Sequence, residues 1–246
     1  MDPNLQDKQG RTMASHICSR TERSSVDLLK KLGTMGASMA IADRDGLTPL
    51  HFAAAAKNPD HIDVCLRLGA DPTATNTKGR TALHVACRSH LVDAKKKRKQ
   101  NKSTSISMVA QKECMDLIVN ACPQLINQRD HQGRTPLFDC LEGVFAGASW
   151  GLMIHMMELG ADLTIVDYHN HNLAHHILLE LEVGGMQPRA IFETQCIFRM
   201  LDNNQPRLLS ERDSDGLTPF MMVCLLGDMD LIYFFLKEHC AINELL

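Results

Sequence analysis

The stretch that decides the fold runs Asp43-Arg-Asp-Gly46-Leu-Thr48-Pro49-Leu50-His51-Phe-Ala-Ala54. Its first four residues are typical of a tight turn, because glycine readily supplies a positive φ. The Thr-Pro pair then predicts the start of a helix, since threonine caps helices and proline suits the first helical position. The two alanines are small, which allows a second helix to approach closely. The stretch therefore predicts a turn followed by a helix that is packed against another helix.

The same phrase recurs along the chain. Its six copies begin at Asp7, Asp43, Asn76, Asp130, Asp167 and Asp213, and the copies at Asp7 and Asp167 are degenerate. The opening residue of each copy is position one of its repeat, and the following residues are numbered from it as frame positions. A second landmark, a glycine or a proline, stands seven residues before a following copy. These landmarks are Gly36, Gly69, Pro123, Gly160 and Pro206. Two landmarks at one fixed spacing indicate an internal repeat.

These repeats resemble ankyrin repeats, whose unit of about 33 residues is a turn followed by two antiparallel helices. The resemblance covers nearly the whole chain. It implies an all-α solenoid of helix-turn-helix units with short β-hairpin turns, and it predicts one domain over residues 1–246. The repeats are assigned to residues 7–42, 43–75, 76–129, 130–166, 167–212 and 213–246.

Two repeats are more than ten residues longer than the period. The turn positions Gly79 and Gly133 are 54 residues apart, and Asn170 and Gly216 are 46 apart, so repeats three and five exceed 33 residues by 21 and 13. The spacing after the second landmark is constant, so the extra residues precede it. We expect insertions between the two helices of these repeats, near residues 91–110 and 182–190.

Composition limits the class of protein. The chain has 246 residues, is 44% hydrophobic and carries a net charge of −3, which predicts a globular protein rather than a general polyanion binder. No run of 18 apolar residues predicts a membrane span, and the amino terminus lacks the apolar segment of a secretory signal. Nine cysteines, an odd number, are expected to be reduced thiols in a cytosolic or nuclear protein.

The insertion in repeat three contains a run of five basic residues. The run is Lys95, Lys96, Lys97, Arg98 and Lys99. Five consecutive basic residues are typical of a nuclear-import signal. Their mutual repulsion equally favours an extended, solvated loop without such a role. The run is therefore consistent with either an import signal or a solvated loop.

Histidines are densest at the start of repeat five, at His169, His171, His175 and His176. A zinc site is one interpretation, but the frame places the first two on the turn and His175 at a structural position of the family. Four convergent ligands are therefore not predicted, and no metal or other cofactor is expected. The sequence also lacks the common motifs of nucleophilic, zinc-dependent and phosphate-binding sites, so no enzyme activity is predicted.

The resemblance implies a protein-interaction module, usually within a larger protein. Family groove positions fall on Arg11, Arg44, Leu47, Lys78, Arg80, Arg88, His131, Arg134, Tyr168, His169 and Leu217. Across repeats one to four, the groove positions contain eight basic residues and two acidic ones, which predicts an acidic or phosphorylated partner peptide. Arg80 and Arg134 are the residues expected to grip its carboxylates or phosphates bidentately. A nuclear regulatory protein that contacts nucleic acid or chromatin is the alternative, and a metal-dependent enzyme is a more distant one.

Overall fold

A computed structural model describes residues 2–20, 25–88, 108–141, 150–184 and 188–238. Within these ranges the regular structure is helical, and no strand is present. The helices form consecutive pairs, one pair after each turn motif. They are α1 (Met13–Cys18), α2 (Val26–Thr34), α3 (Pro49–Ala55), α4 (Pro59–Arg67), α5 (Ala82–Cys87), α6 (Met108–Ala121), α7 (Pro136–Asp139), α8 (Trp150–Glu158), α9 (Leu173–Gly184), α10 (Pro188–Asn204), α11 (Pro219–Leu226) and α12 (Met229–Glu238). The predicted all-α class is confirmed.

Each turn is closed by its opening aspartate or asparagine. In repeat two, Asp43 Oδ1 accepts hydrogen bonds from the backbone N–H groups of Asp45 and Leu47 at 3.0 and 2.9 Å. The Gly46 N–H donates to the Asp43 carbonyl oxygen at 3.0 Å, and Gly46 has a φ of 77°. A Cβ at this position would lie 2.9 Å from Asn76 Cα of the next turn. Glycine is therefore required here by both conformation and space.

The turns are joined to one another by backbone hydrogen bonds. In five successive cases, the N–H at frame position two donates to the carbonyl oxygen at position three of the preceding repeat. The donor–acceptor pairs are Arg44–Gln9, Thr77–Asp45, His131–Lys78, Tyr168–Gln132 and Ser214–His169, at 2.9–3.1 Å. The turn motifs thus form one continuous row along the side of the stack.

Histidines link the first helices to the next turn. His51 Nδ1 accepts from the Thr48 N–H at 3.2 Å, so Nε2 carries the proton and donates to the Arg80 carbonyl oxygen at 3.0 Å. His84 and His175 repeat this arrangement toward the carbonyl oxygens of Arg134 and Leu217. Burial lowers the pKa of His51 and lowers that of His84 to about 4, which keeps both neutral.

The helices stack in two layers. First helices pack in the order α1, α3, α5, α7, and α9 packs on α11, while second helices pack in the order α2, α4, α6, α8, and α10 packs on α12. Leu50 and Leu83 lie between the layers with 1% and 0% exposure. Cys18 and Cys87 are buried as small apolar residues, whereas Cys224 at the same frame position is exposed. In the described part of the chain, no further repeat covers α11.

A buried lysine from repeat two caps the carboxyl end of α5. Lys57 has a φ of 53° and is 5% exposed. Its Nζ donates to the carbonyl oxygens of Val85, Ala86 and Arg88 at 2.9, 2.6 and 2.7 Å. The Gln111 side chain, from α6, donates to the Ala86 oxygen at 2.8 Å. Two side chains from neighbouring elements thus satisfy the carbonyl groups at the end of a short helix.

The extra residues of repeat five lie largely in its helices, which differs from the predicted loop near 182–190. α9 has 12 residues and α10 has 17, whereas α3 and α4 have 7 and 9. The helices are therefore five and eight residues longer, and together these account for the excess of 13. Leu181 and Ile197 of these helices are buried, although Phe192 is exposed, so the longer helices extend the core. The insertion predicted near 91–110 lies outside the described residues up to position 107, and its last residues belong to α6.

No helix in the described ranges is long and apolar enough to cross a bilayer.

Candidate functional site

The predicted groove positions lie along the row of turns, except Arg88, which directly follows the end of the first helix α5. Arg44, Lys78, His131, Tyr168 and His169 are exposed at the turns. Leu47, Arg88 and Leu217 are half-buried just beside them. This row is continuous because the backbone hydrogen bonds described above connect every pair of successive turns.

Arg80 does not fit its predicted role of gripping a ligand. Its side chain is only 6% exposed, and Nε lies 3.2 Å from Asp130 Oδ2 of the next turn. Its Nη1 lies 3.6 Å from Asp139 Oδ1, and both carboxylates are buried. A buried guanidinium between two buried carboxylates is held by intramolecular charge pairing. Arg80 therefore joins repeats three and four instead of facing a partner.

Two further arginines of the predicted set are also paired within the chain. Arg11 Nε lies 3.4 Å from Asp43 Oδ2, and its guanidinium lies 5.0 Å from the centre of the Phe52 ring. Arg134 Nη2 lies 3.5 Å from Asp130 Oδ2, and its side chain is 18% exposed. The basic excess counted from the sequence thus includes residues that bind the acidic turn residues of their own stack. The bidentate grip expected of Arg80 and Arg134 is replaced by these contacts.

A pocket lies where repeats two and three meet. It has a volume of about 290 Å³ and is lined by Asp45, Leu47, Asn76, Thr77, Lys78, Arg80, Val85 and Arg88. Leu47 and Val85 supply apolar surface, while the Lys78 side chain is exposed at its edge. Five predicted groove positions border this pocket or belong to the same two turns. A side chain with an apolar stem and an anionic end matches this lining in chemistry.

The basic run Lys95–Lys99 lies outside the described residues, so its two interpretations remain predictions. Glu142, one of the two acidic groove residues counted from the sequence, also lies outside them.

The histidines of repeat five divide into two groups. Both ring nitrogens of His175 are used within the fold, because Nδ1 accepts from the Asn172 N–H at 3.4 Å and Nε2 donates to the Leu217 carbonyl oxygen at 3.1 Å. His171 and His176 instead face Asp167, whose Oδ2 lies 3.4 Å from His171 Nδ1 and 3.0 Å from His176 Nε2. Burial acts to raise the pKa of Asp167, but hydrogen bonds from His176 and from nearby backbone N–H groups outweigh it, so this pKa falls well below its ordinary range.

Sequence reasoning missed Asp167 as a partner of these histidines because its role in the turn already accounted for it. The signal was present in the frame, since Asp167, His171 and His176 occupy positions one, five and ten. In repeats one and five, the fold brings the side chains at positions one and ten into contact.

Comparison with known proteins supports this description. The family model of the ankyrin repeat matches residues 45–77. The chain is 37% identical over 71 residues to an ankyrin repeat and LEM domain-containing protein 1 homolog of Caenorhabditis elegans, and 37% identical over 81 residues to NF-kappa-B inhibitor delta of Mus musculus. It is 32% identical over 84 residues to human SH3 and multiple ankyrin repeat domains protein 2.

These matches cover 29%, 33% and 34% of this chain, but only 10%, 25% and 4% of the three relatives. The similarity therefore concerns the repeats and not the remainder of those proteins. The ankyrin-repeat family is generally non-catalytic. The family model, the relatives and the stacked helix pairs agree that the chain is an ankyrin-repeat protein.

Proposed function

We propose that the row of turns in repeats two and three binds a segment of a partner protein that carries carboxylate or phosphate groups. The observation that carries this proposal is the pocket between these repeats, which combines apolar surface from Leu47 and Val85 with the basic side chains of Lys78 and Arg88. Arg44 is exposed on the adjacent turn and adds positive charge. Arg80 and Arg134 play no part in this binding, because both contact Asp130 within the stack.

Electrostatics favours an anionic segment more modestly than the sequence count suggested. Asp45 lines the same pocket, so a ligand must bring its negative charge to the Lys78 side. Exposed ion pairs contribute about 0.2–1 kcal/mol each in water. Charge therefore acts chiefly on orientation and association rate, and the apolar surface of Leu47 and Val85 contributes to retention. The name of the mouse relative, an inhibitor, is consistent with a role exerted by binding a protein.

The experiment begins with affinity capture of partners by the full chain and identification by mass spectrometry. The Arg44→Glu, Lys78→Glu double variant is then compared with a matched Lys30→Glu, Lys31→Glu variant, which makes the same charge change on α2 of the second-helix layer. We expect the first variant to weaken binding about tenfold, or about 1.4 kcal/mol, and the second to leave it unchanged. Wild-type affinity should also fall with added salt. Equal affinity in both variants, or capture of nucleic acid rather than protein, contradicts the proposal.

A nuclear location is a further part of the proposal and rests on the basic run Lys95–Lys99. Replacement of these five residues by serine and glutamine leaves the described repeats untouched. We expect the nuclear fraction of the tagged chain in cells to drop. An unchanged nuclear fraction leaves the run as a solvated basic segment.

A further inference from the structure

One carboxylate and two imidazoles converge at the turn of repeat five. One ligand atom from each of Asp167, His171 and His176 lies within 4.8 Å of the other two. In tetrahedral coordination, Zn²⁺ bonds of about 2.0–2.2 Å place ligand atoms roughly 3.4 Å apart. The separations of Asp167 Oδ2 from His171 Nδ1 and from His176 Nε2 are 3.4 and 3.0 Å. Two of the three distances between ligand atoms are thus close to the distance found around a tetrahedral zinc ion.

The next repeat orients one of these ligands. His171 Nε2 faces Asp213 Oδ2 at 3.6 Å, while its Nδ1 faces Asp167. Asp213 is itself fixed by the N–H groups of Asp215 and Leu217, which donate to its Oδ1 at 2.9 and 2.8 Å. A carboxylate behind a histidine sets the tautomer that leaves the opposite nitrogen available to a metal. Here that nitrogen is Nδ1, on the side of Asp167 and His176.

Repeat one provides an internal comparison. Asp7, Arg11 and His16 occupy the same three frame positions, and Asp7 Oδ2 lies 2.8 Å from His16 Nε2. The contact between positions one and ten is therefore a feature of the turn that needs no metal. Position five differs, because a guanidinium has no lone pair to offer a cation. His171 is the residue that converts this common pair into three potential ligands.

The three side chains are partly sheltered but reachable. The exposure of the Asp167, His171 and His176 side chains is 5%, 18% and 13%. Partial burial strengthens the attraction between the carboxylate and a cation, while the remaining exposure gives the ion a route in. A nitrogen-rich set with one carboxylate favours Zn²⁺ over Ca²⁺ or Mg²⁺, which prefer oxygen ligands.

We propose that Asp167, His171 and His176 bind one Zn²⁺ ion, with Asp213 as a positioning residue and water in the fourth place. The ion lies at the junction of repeats five and six, where it fixes the turn against the first helix α9. Its function is structural, and it adds no catalytic step.

The test is titration of the chelator-treated full chain with Zn²⁺ by isothermal calorimetry. We expect wild type to bind one equivalent. His171→Arg recreates the arrangement of repeat one and should fold normally, with affinity for Zn²⁺ reduced about tenfold or more. His131→Gln removes one histidine from another exposed turn and should bind as wild type does. Its unchanged affinity separates a defined site from general binding by histidines.

Asp213→Asn tests the positioning role. Asn76 already closes the turn of repeat three with its Oδ1, so asparagine is compatible with this position. We expect the variant to keep one-to-one stoichiometry and to bind Zn²⁺ about 10–100-fold more weakly. If His171→Arg does not fold, His176→Gln replaces it, since its amide retains a donor for Asp167. Failure of wild type to take up Zn²⁺, or equal affinity in the ligand variants, overturns the proposal.

Discussion

Replacement of Arg80 by methionine should destabilise the protein without any ligand present. Arg80→Met keeps much of the side-chain volume but removes the cation that faces the buried carboxylates of Asp130 and Asp139, at 3.2 and 3.6 Å. Loss of one partner from a buried charge pair costs about 3–5 kcal/mol, because the remaining charges are left in a poorly solvated place. The measurement is urea unfolding monitored by circular dichroism, which gives the free energy of unfolding.

Lys78→Met is the matched control, since it makes the same substitution type two residues away on the exposed turn. We expect its free energy of unfolding to change by less than about 0.5 kcal/mol. Asp130→Asn keeps the Oδ1 acceptor of the turn and removes the charge. The double variant Arg80→Met, Asp130→Asn should therefore lose less free energy of unfolding than the sum of the losses in the two single variants. If Arg80→Met is as stable as wild type, or if the two losses are additive, Arg80 does not join the repeats through charge.

Four further outcomes follow from the described contacts. Gly46→Ala should cost more stability than Gly216→Ala. Both glycines have φ near 77°, but among the described residues a Cβ at Gly46 meets backbone atoms within 4 Å and one at Gly216 meets nothing. Equal losses in thermal unfolding would contradict this expectation. Leu83→Ala should lower the free energy of unfolding by about 2–5 kcal/mol because this side chain is fully buried, and a loss below about 1 kcal/mol would show that the site is misassigned. Burial lowers the pKa of Lys57 to about 8, so between pH 8 and 10.5 the unfolded chain holds a proton that the folded chain has released. The free energy of unfolding of wild type should therefore rise over that pH range by up to about 3 kcal/mol relative to Lys57→Met, and parallel curves would refute the assignment. Burial likewise lowers the pKa of His84 to about 4. The free energy of unfolding of wild type should therefore fall by up to about 3 kcal/mol as the pH falls from 6.5 to 4, and His84→Gln should lack this contribution to acid unfolding.

Local signals were sufficient to predict the fold class. Asp43, Gly46, Thr48 and Pro49 act within a few residues of one another, so the turn and the helix start can be read from neighbouring positions. The site was predicted less well because its contacts cross repeats. Arg80 pairs with Asp130, 50 positions away on the far side of an insertion. The frame position of a basic residue alone does not reveal whether its side chain faces solvent or the next turn.

Burial of polar groups was the other limit of the sequence. The periodic pattern assigns no role to Lys57, because a lysine in a loop is ordinarily solvated. Its three carbonyl acceptors lie at the end of α5, in the following repeat. The extended helices of repeat five were similarly hidden, since a count of extra residues gives their number but not their conformation.

The end of α5 also bears on how this protein tolerates changes in length. Lys57 and Gln111 hold the carbonyl groups just before residue 89, and Gln111 belongs to the helix that resumes after residue 107. The described residues on the two sides of this range are therefore tied to each other by side chains that lie outside it. The entropy of closing a flexible connection grows only with the logarithm of its length, and doubling that length costs about 0.6 kcal/mol. We therefore expect a folded reporter domain inserted between residues 88 and 108 to change the free energy of unfolding of the repeats on either side only slightly.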